Sequence, residues 1–87
     1  MTELKVGMRV VYTNKNKDVM CRADGDTVIS RHPKQVAEII FVHPEKRFVT
    51  VFNGKYNEAP WYEDVELCDQ NMPVGVFINP FDGSLLA

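Results

Sequence analysis

In several short stretches of this chain apolar residues recur at every second position, and no stretch of ten or more residues carries the 3.6-residue period of an amphipathic helix. The longest apolar pattern is VAEIIFVHPEKRFVTVFN, residues 36–53. It predicts two strands joined by a loop over 44–47. Pro44 sets φ for the second turn position, and the charged residues after it favour water. With that loop, His43 faces Phe48, Phe41 faces Thr50 and Ile39 faces Phe52, while Val42 pairs with Val49 and Ile40 with Val51 on the other side. Both faces are then apolar. A hairpin with one wet face alternates apolar and polar residues, so this one predicts cover on two sides.

The remaining pattern is also one of short strands. Over 4–13, Val6, Met8 and Val10 fall on one side and Arg9 and Val11 on the other, with a bend at Gly7. Asn14-Lys15-Asn16-Lys17-Asp18 reads as a polar loop. Residues 19–22 and 27–30 read as a small hairpin turned at Asp24-Gly25-Asp26. Pro33 interrupts the pattern before the central hairpin, and Gly54 serves a turn after it. Residues 56–60 look irregular. Trp61-Tyr62-Glu63-Asp64 suits one 3₁₀ turn ahead of a short strand over 65–67. In the tail Val74, Val76 and Ile78 alternate, and Asn79-Pro80-Phe81-Asp82-Gly83-Ser84 turns into Leu85 and Leu86. The predicted fold class is all-β.

Three of these pieces carry a resemblance. Val6-Gly7-Met8-Arg9-Val10 opens a first strand, the long hairpin sits in mid-chain, and Trp61-Tyr62-Glu63-Asp64-Val65-Glu66-Leu67 crosses into a closing strand. Over residues 4–68 this order resembles small SH3-like barrels of the Tudor and KOW type. The resemblance is one of fold. It implies a bent five-stranded sheet closed by a short 3₁₀ turn, and a binding module that presents aromatic residues near loop ends to peptides, modified side chains or nucleic acid. It predicts an SH3-like barrel over 1–69 and a C-terminal β extension over 70–87. The sections over 19–30 and after Asp69 depart from the pattern. The extension, through Val74, Val76, Phe77, Ile78, Phe81 and Leu86, supplies the missing cover, either on its own barrel or on a second copy. Each aliphatic side chain so buried contributes about 1.5–3 kcal/mol.

Composition narrows the class further. Eighty-seven residues make one domain, and 45% hydrophobic with 25% charged residues is ordinary for a soluble globular protein. No apolar run approaches 18 residues, and the start MTELKVG lacks the basic-then-apolar form of a signal peptide, so a cytoplasmic location is expected. A compact chain without low-complexity tracts suits a stand-alone product such as a phage or mobile-element protein. Cys21 and Cys68 are far apart and read as buried thiols or bystanders, not as a bridge. The net charge of −2 is unevenly laid out: all ten Lys and Arg lie in residues 5–55, and 56–87 hold six acids with no Lys or Arg. Such a layout reads as a basic face with an acidic flank, or as two ends that neutralise one another.

Candidate chemistry is sparse. Scattered glycines exclude a phosphate loop, and Ser30, Ser84, Cys21, Cys68, His32 and His43 show no triad spacing. The spacing of Cys21, His32, His43 and Cys68 matches no common zinc site. The expectation is a non-enzymatic protein with no cofactor and no metal; His43 reads as a packed hairpin-end histidine. For a protein or peptide partner the candidates are Tyr56, Trp61 and Tyr62, with Glu58, Glu63 and Asp64 beside them, a set suited to a basic or methylated segment. Such a module serves as a small regulator or adaptor. Trp61 as a core plug is the competing reading. The alternative function is nucleic-acid binding through Lys15, Lys17, Arg22, Arg31, Lys34, Lys46, Arg47 and Lys55, with Tyr12, Phe48 and Tyr56 stacking on bases. A sequence pI of about 5.6 and the acidic last third oppose it. A self-assembling structural subunit, as a homodimer, is the third.

Overall fold

The computed structural model describes residues 3–22, Gly25 and 27–86. The central hairpin is β4 (Lys34–Val42) and β5 (Val49–Phe52). Its turn is closed by Lys46 N–H donating to the His43 carbonyl at 2.8 Å, with Lys46 itself at φ +57. β1 (Arg9–Thr13) lies antiparallel on the other side of β4, pairing Val11 with Val36 and Tyr12 with Gln35. β6 (Asn57–Glu58), in a segment read as irregular, adds to β5. A 3₁₀ turn at Tyr62–Asp64 leads into β7 (Glu66–Leu67), which adds to β1. The path β6-β5-β4-β1-β7 is therefore an antiparallel meander whose last strand crosses back to the first. Among the described residues β6 and β7 do not pair with each other, so the sheet stays open. The structure is all-β.

The predicted register of the hairpin holds at its tip and fails at its middle. Val42 opposes Val49 and Phe41 opposes Thr50, but Ile39 opposes Val51 and Glu38 opposes Phe52, because Ile40 is an extra residue in β4. This bulge turns Ile39 inward beside Val49 and Val51, all three with no exposed surface, and leaves Ile40 and Phe41 outside, 40% and 45% exposed. Packing decides it. Ile39 joins Leu4, Val10, Tyr12, Ala37, Val49, Val51 and Val65 in one core, with Met8, Val42 and Tyr62 against it. Cover on both faces is reached only in the first half of β4, where Val36 and its partner Val11 are buried outside that core.

The tail does not lie across the hairpin as the sequence suggests. β5 pairs only the second half of β4, and β8 (Phe77–Ile78) continues in its place along the edge of the first half, opposite Lys34 and Gln35. Val36 donates to the Val76 carbonyl at 2.9 Å and accepts from Gly75 N–H at 2.8 Å. β9 (Leu85–Leu86) closes a small hairpin on β8. Between β7 and β8 the Gln70 side chain acts as a strand partner, accepting from Arg9 N–H at 2.7 Å and donating to the Arg9 carbonyl at 2.9 Å.

β2 (Val19–Arg22) and β3 (Val28–Arg31) form a separate two-stranded sheet in which every described residue from 20 to 31 is exposed. Gly25 adopts φ +71; the rest of its proposed turn, Asp24 and Asp26, lies outside the described residues. Cys21 sits exposed on this arm and Cys68 is partly exposed near β7; both are free thiols, and neither is buried. Among the described residues, no helix is long and apolar enough to cross a membrane.

Candidate functional site

Short strands that end in polar residues border two grooves. At the boundary stands a buried polar cluster. Tyr12, Asn14, Gln35 and Asn53 are at most 5% exposed, and their polar atoms satisfy one another. Asn53 Nδ2 donates to the Tyr12 hydroxyl at 2.9 Å, and Asn14 Nδ2 donates to Gln35 Oε1 at 2.7 Å. Gln35 Nε2 donates to the Gly75 carbonyl at 3.1 Å, which ties the tail to the cluster. Burial pushes the Tyr12 phenol up to about 12, against the opposing hydrogen bond from Asn53.

The first groove, of about 550 Å³, is lined by Trp61, Pro60, Ala59 and Tyr12 with Glu58, Glu63, Asp64, Glu66, Lys15 and Lys34. Trp61 is 62% exposed and is not a core plug. Its backbone is strapped to the start of β5: Val49 N–H donates to the Pro60 carbonyl at 3.1 Å, Tyr62 N–H donates to the Arg47 carbonyl at 3.0 Å, and Trp61 bridges Phe48. The Trp61 backbone is thus held in place, while its indole lies mostly outside the core. Four carboxylates against two lysines leave the lining acidic. Lys34 is partly cancelled by Glu66 at 3.3 Å, whereas Lys15 has no ion-pair partner among the described residues.

The predicted partner-binding set divides here. Trp61, Glu63 and Asp64 line the first groove together. Tyr62 is structural: its ring packs on the core and its hydroxyl accepts from Leu4 N–H at 3.0 Å. Tyr56 lies in the second groove, its hydroxyl 3.2 Å from Asn14 Nδ2.

The second groove, of about 590 Å³, is lined by Asn14, Asn16, Gln35, Asn53 and Tyr56 together with tail residues including Val76, Phe77 and Leu86. Lys17 and Lys55 complete it, and among the described residues no carboxylate lines it. Gly75 in its lining holds φ +98, and a Cβ there would meet the Asn53 carbonyl at 3.1 Å.

The predicted nucleic-acid set is dispersed. Lys46 pairs with Glu3 at 3.0 Å and Arg47 with Glu45 at 3.1 Å at the hairpin tip. Arg31 covers the Phe81 ring at 4.9 Å and Lys17 the Phe77 ring at 4.2 Å. Lys15 and Lys34 face the acidic groove, and Lys55 the other. Of the predicted stacking partners, Tyr12 is buried, and Phe48 packs 4.9 Å from His43 and 6.0 Å from Phe41. That leaves Tyr56. His43 takes its predicted place, its Nδ1 accepting from Glu45 N–H at 3.1 Å.

The buried amides escaped sequence reading because Asn14 and Asn53 sit in segments that read as loops. The one local signal is their place at strand ends next to Tyr12 and Gln35. Among the described residues no three His, Cys, Asp or Glu gather to hold a metal ion. Compared with known proteins, the chain matches no family model, no curated protein and no solved structure.

Proposed function

We propose that this chain is an SH3-like, non-enzymatic binding module that captures a protein or peptide partner, as a small regulator or adaptor. Support for the SH3-like reading comes from the strand order β6-β5-β4-β1-β7 and the 3₁₀ turn ahead of β7. Its seat is the acidic groove, and the segment it captures carries lysine or arginine. The observation that carries this reading is Trp61: a large indole, mostly exposed, on a backbone anchored beside β5, in a groove lined by four carboxylates. An indole face attracts a cation, and nearby carboxylates steer one toward it. With its backbone already ordered, such an anchor gives up only side-chain freedom on binding. The test is capture of a lysine- and arginine-rich peptide on the immobilised protein. Trp61→Ala leaves the core intact and weakens capture by about thirtyfold, the cost of a strong aromatic anchor. Capture undiminished in that variant rejects the assignment.

A second reading, self-assembly, is favoured by one observation. Ile40, Phe41 and Phe52 are each about 40% exposed on the outer side of the hairpin. A solution mass of one chain at high concentration removes it.

A further inference from the structure

We infer that the second groove is a separate binding site, for an organic anion with a flat apolar body, of the size and class of a nucleoside monophosphate. Its volume of about 590 Å³ lies in the range of small-molecule sites, which are mainly apolar with a few placed polar groups. The tail's share of the lining is apolar, with Val76, Phe77 and Leu86. Tyr56 brings an aromatic ring to the lining, and Phe77 a second whose one face is covered by Lys17; aromatic rings are what bases stack on. The polar lining includes Asn16, whose Nδ2 is spent on the Tyr56 hydroxyl at 3.3 Å and on Glu58 at 3.0 Å, so its Oδ1 is the acceptor it presents to the edge of a base.

Charge decides the sign of the ligand. The chain is acidic overall, yet this groove holds Lys17 and Lys55 and, among the described residues, no carboxylate in its lining. Glu58 accepts from Asn16 Nδ2 at 3.0 Å and lines the other groove. Lys17 is positioned as well as charged, since its Nζ rests 4.2 Å over the Phe77 ring. Lys55 has no ion-pair partner among the described residues, so its charge is uncommitted. The two grooves, separated by the Tyr12 cluster, thus have opposite polarity, and this site does not depend on the peptide reading of the other.

Calorimetric titration of the full chain with adenosine monophosphate, adenosine and inorganic phosphate tests the proposal. Saturable binding of the monophosphate is expected, about tenfold tighter than that of adenosine and of phosphate alone. Lys55→Glu places a carboxylate in the groove and weakens it about tenfold, and Trp61→Ala leaves it unchanged. No saturation at about 10 mM, the weak limit of a specific site, overturns the proposal. So do equal affinity for adenosine, or sensitivity to Trp61→Ala without sensitivity to Lys55→Glu. A twelve-nucleotide single strand binding more than ten times tighter per site also overturns it, in favour of nucleic acid.

Discussion

Tyr12 is the residue at which stability and site geometry meet. Its ring sits in the core and its hydroxyl accepts from Asn53, so the position tolerates neither a smaller nor an apolar group. Tyr12→Phe keeps the ring and orphans the buried Asn53 amide, which costs about 1–3 kcal/mol, read from urea unfolding at neutral pH. The hydroxyl also sets an alkaline limit. The folded phenol titrates at about 12, above its ordinary value of 10.0. Folding therefore favours the neutral form: this contribution is whole below about pH 10 and is lost as pH rises through about 12. The wild-type protein loses stability over that window, and Tyr12→Phe flattens the loss. Gly75 gives a second residue-scale prediction. Gly75→Ala forces a Cβ against the Asn53 carbonyl at positive φ, costing about 1–2 kcal/mol, and speeds exchange of the Val36 amide that bonds to Val76. A variant as stable as wild type contradicts the tight approach described for the tail.

Among the elements, the bulge in β4 carries the sharpest prediction. Ile39→Ala empties part of the core and costs about 2–5 kcal/mol, while Ile40→Ala, one residue away and 40% exposed, costs less than about 1 kcal/mol. A continuous register reverses that order. The elements themselves were legible because hairpins are local: period-two runs bounded by Pro44, Gly54 and the Asn79–Ser84 turn chemistry predict strands close to where β4, β5, β8 and β9 lie. The bulge was not legible, since Ile39, Ile40, Phe41 and Val42 are all apolar and the pattern accepts either register. The tail was half legible. Its strands show in Val76 and Ile78, but its place along the edge of β4 depends on β5 stopping short, a non-local fact.

At the scale of the whole molecule, the uneven charge resolves into two grooves and several local pairs. Arg9–Glu38, Lys46–Glu3 and Arg47–Glu45 lie within the first 55 residues, and Lys34–Glu66 joins the basic part to the acidic end. The acids at Glu58, Glu63 and Asp64 are left to shape the field around Trp61. The candidate site was legible as residue types, an aromatic beside acids. Its division was not, because which of Tyr56, Trp61 and Tyr62 faces outward is fixed by contacts with Asn14 and Leu4 far along the chain. Surface electrostatics of this kind weaken with salt.

Trp61 is the chain's one tryptophan, so its fluorescence reports on the acidic groove directly. Titration with a peptide of alternating lysine and arginine is predicted to give a saturable change in emission. The midpoint rises severalfold between about 0.01 M and 0.15 M salt, as exposed charges are screened. Emission that stays flat throughout at low salt contradicts the account, whatever the stability of the fold.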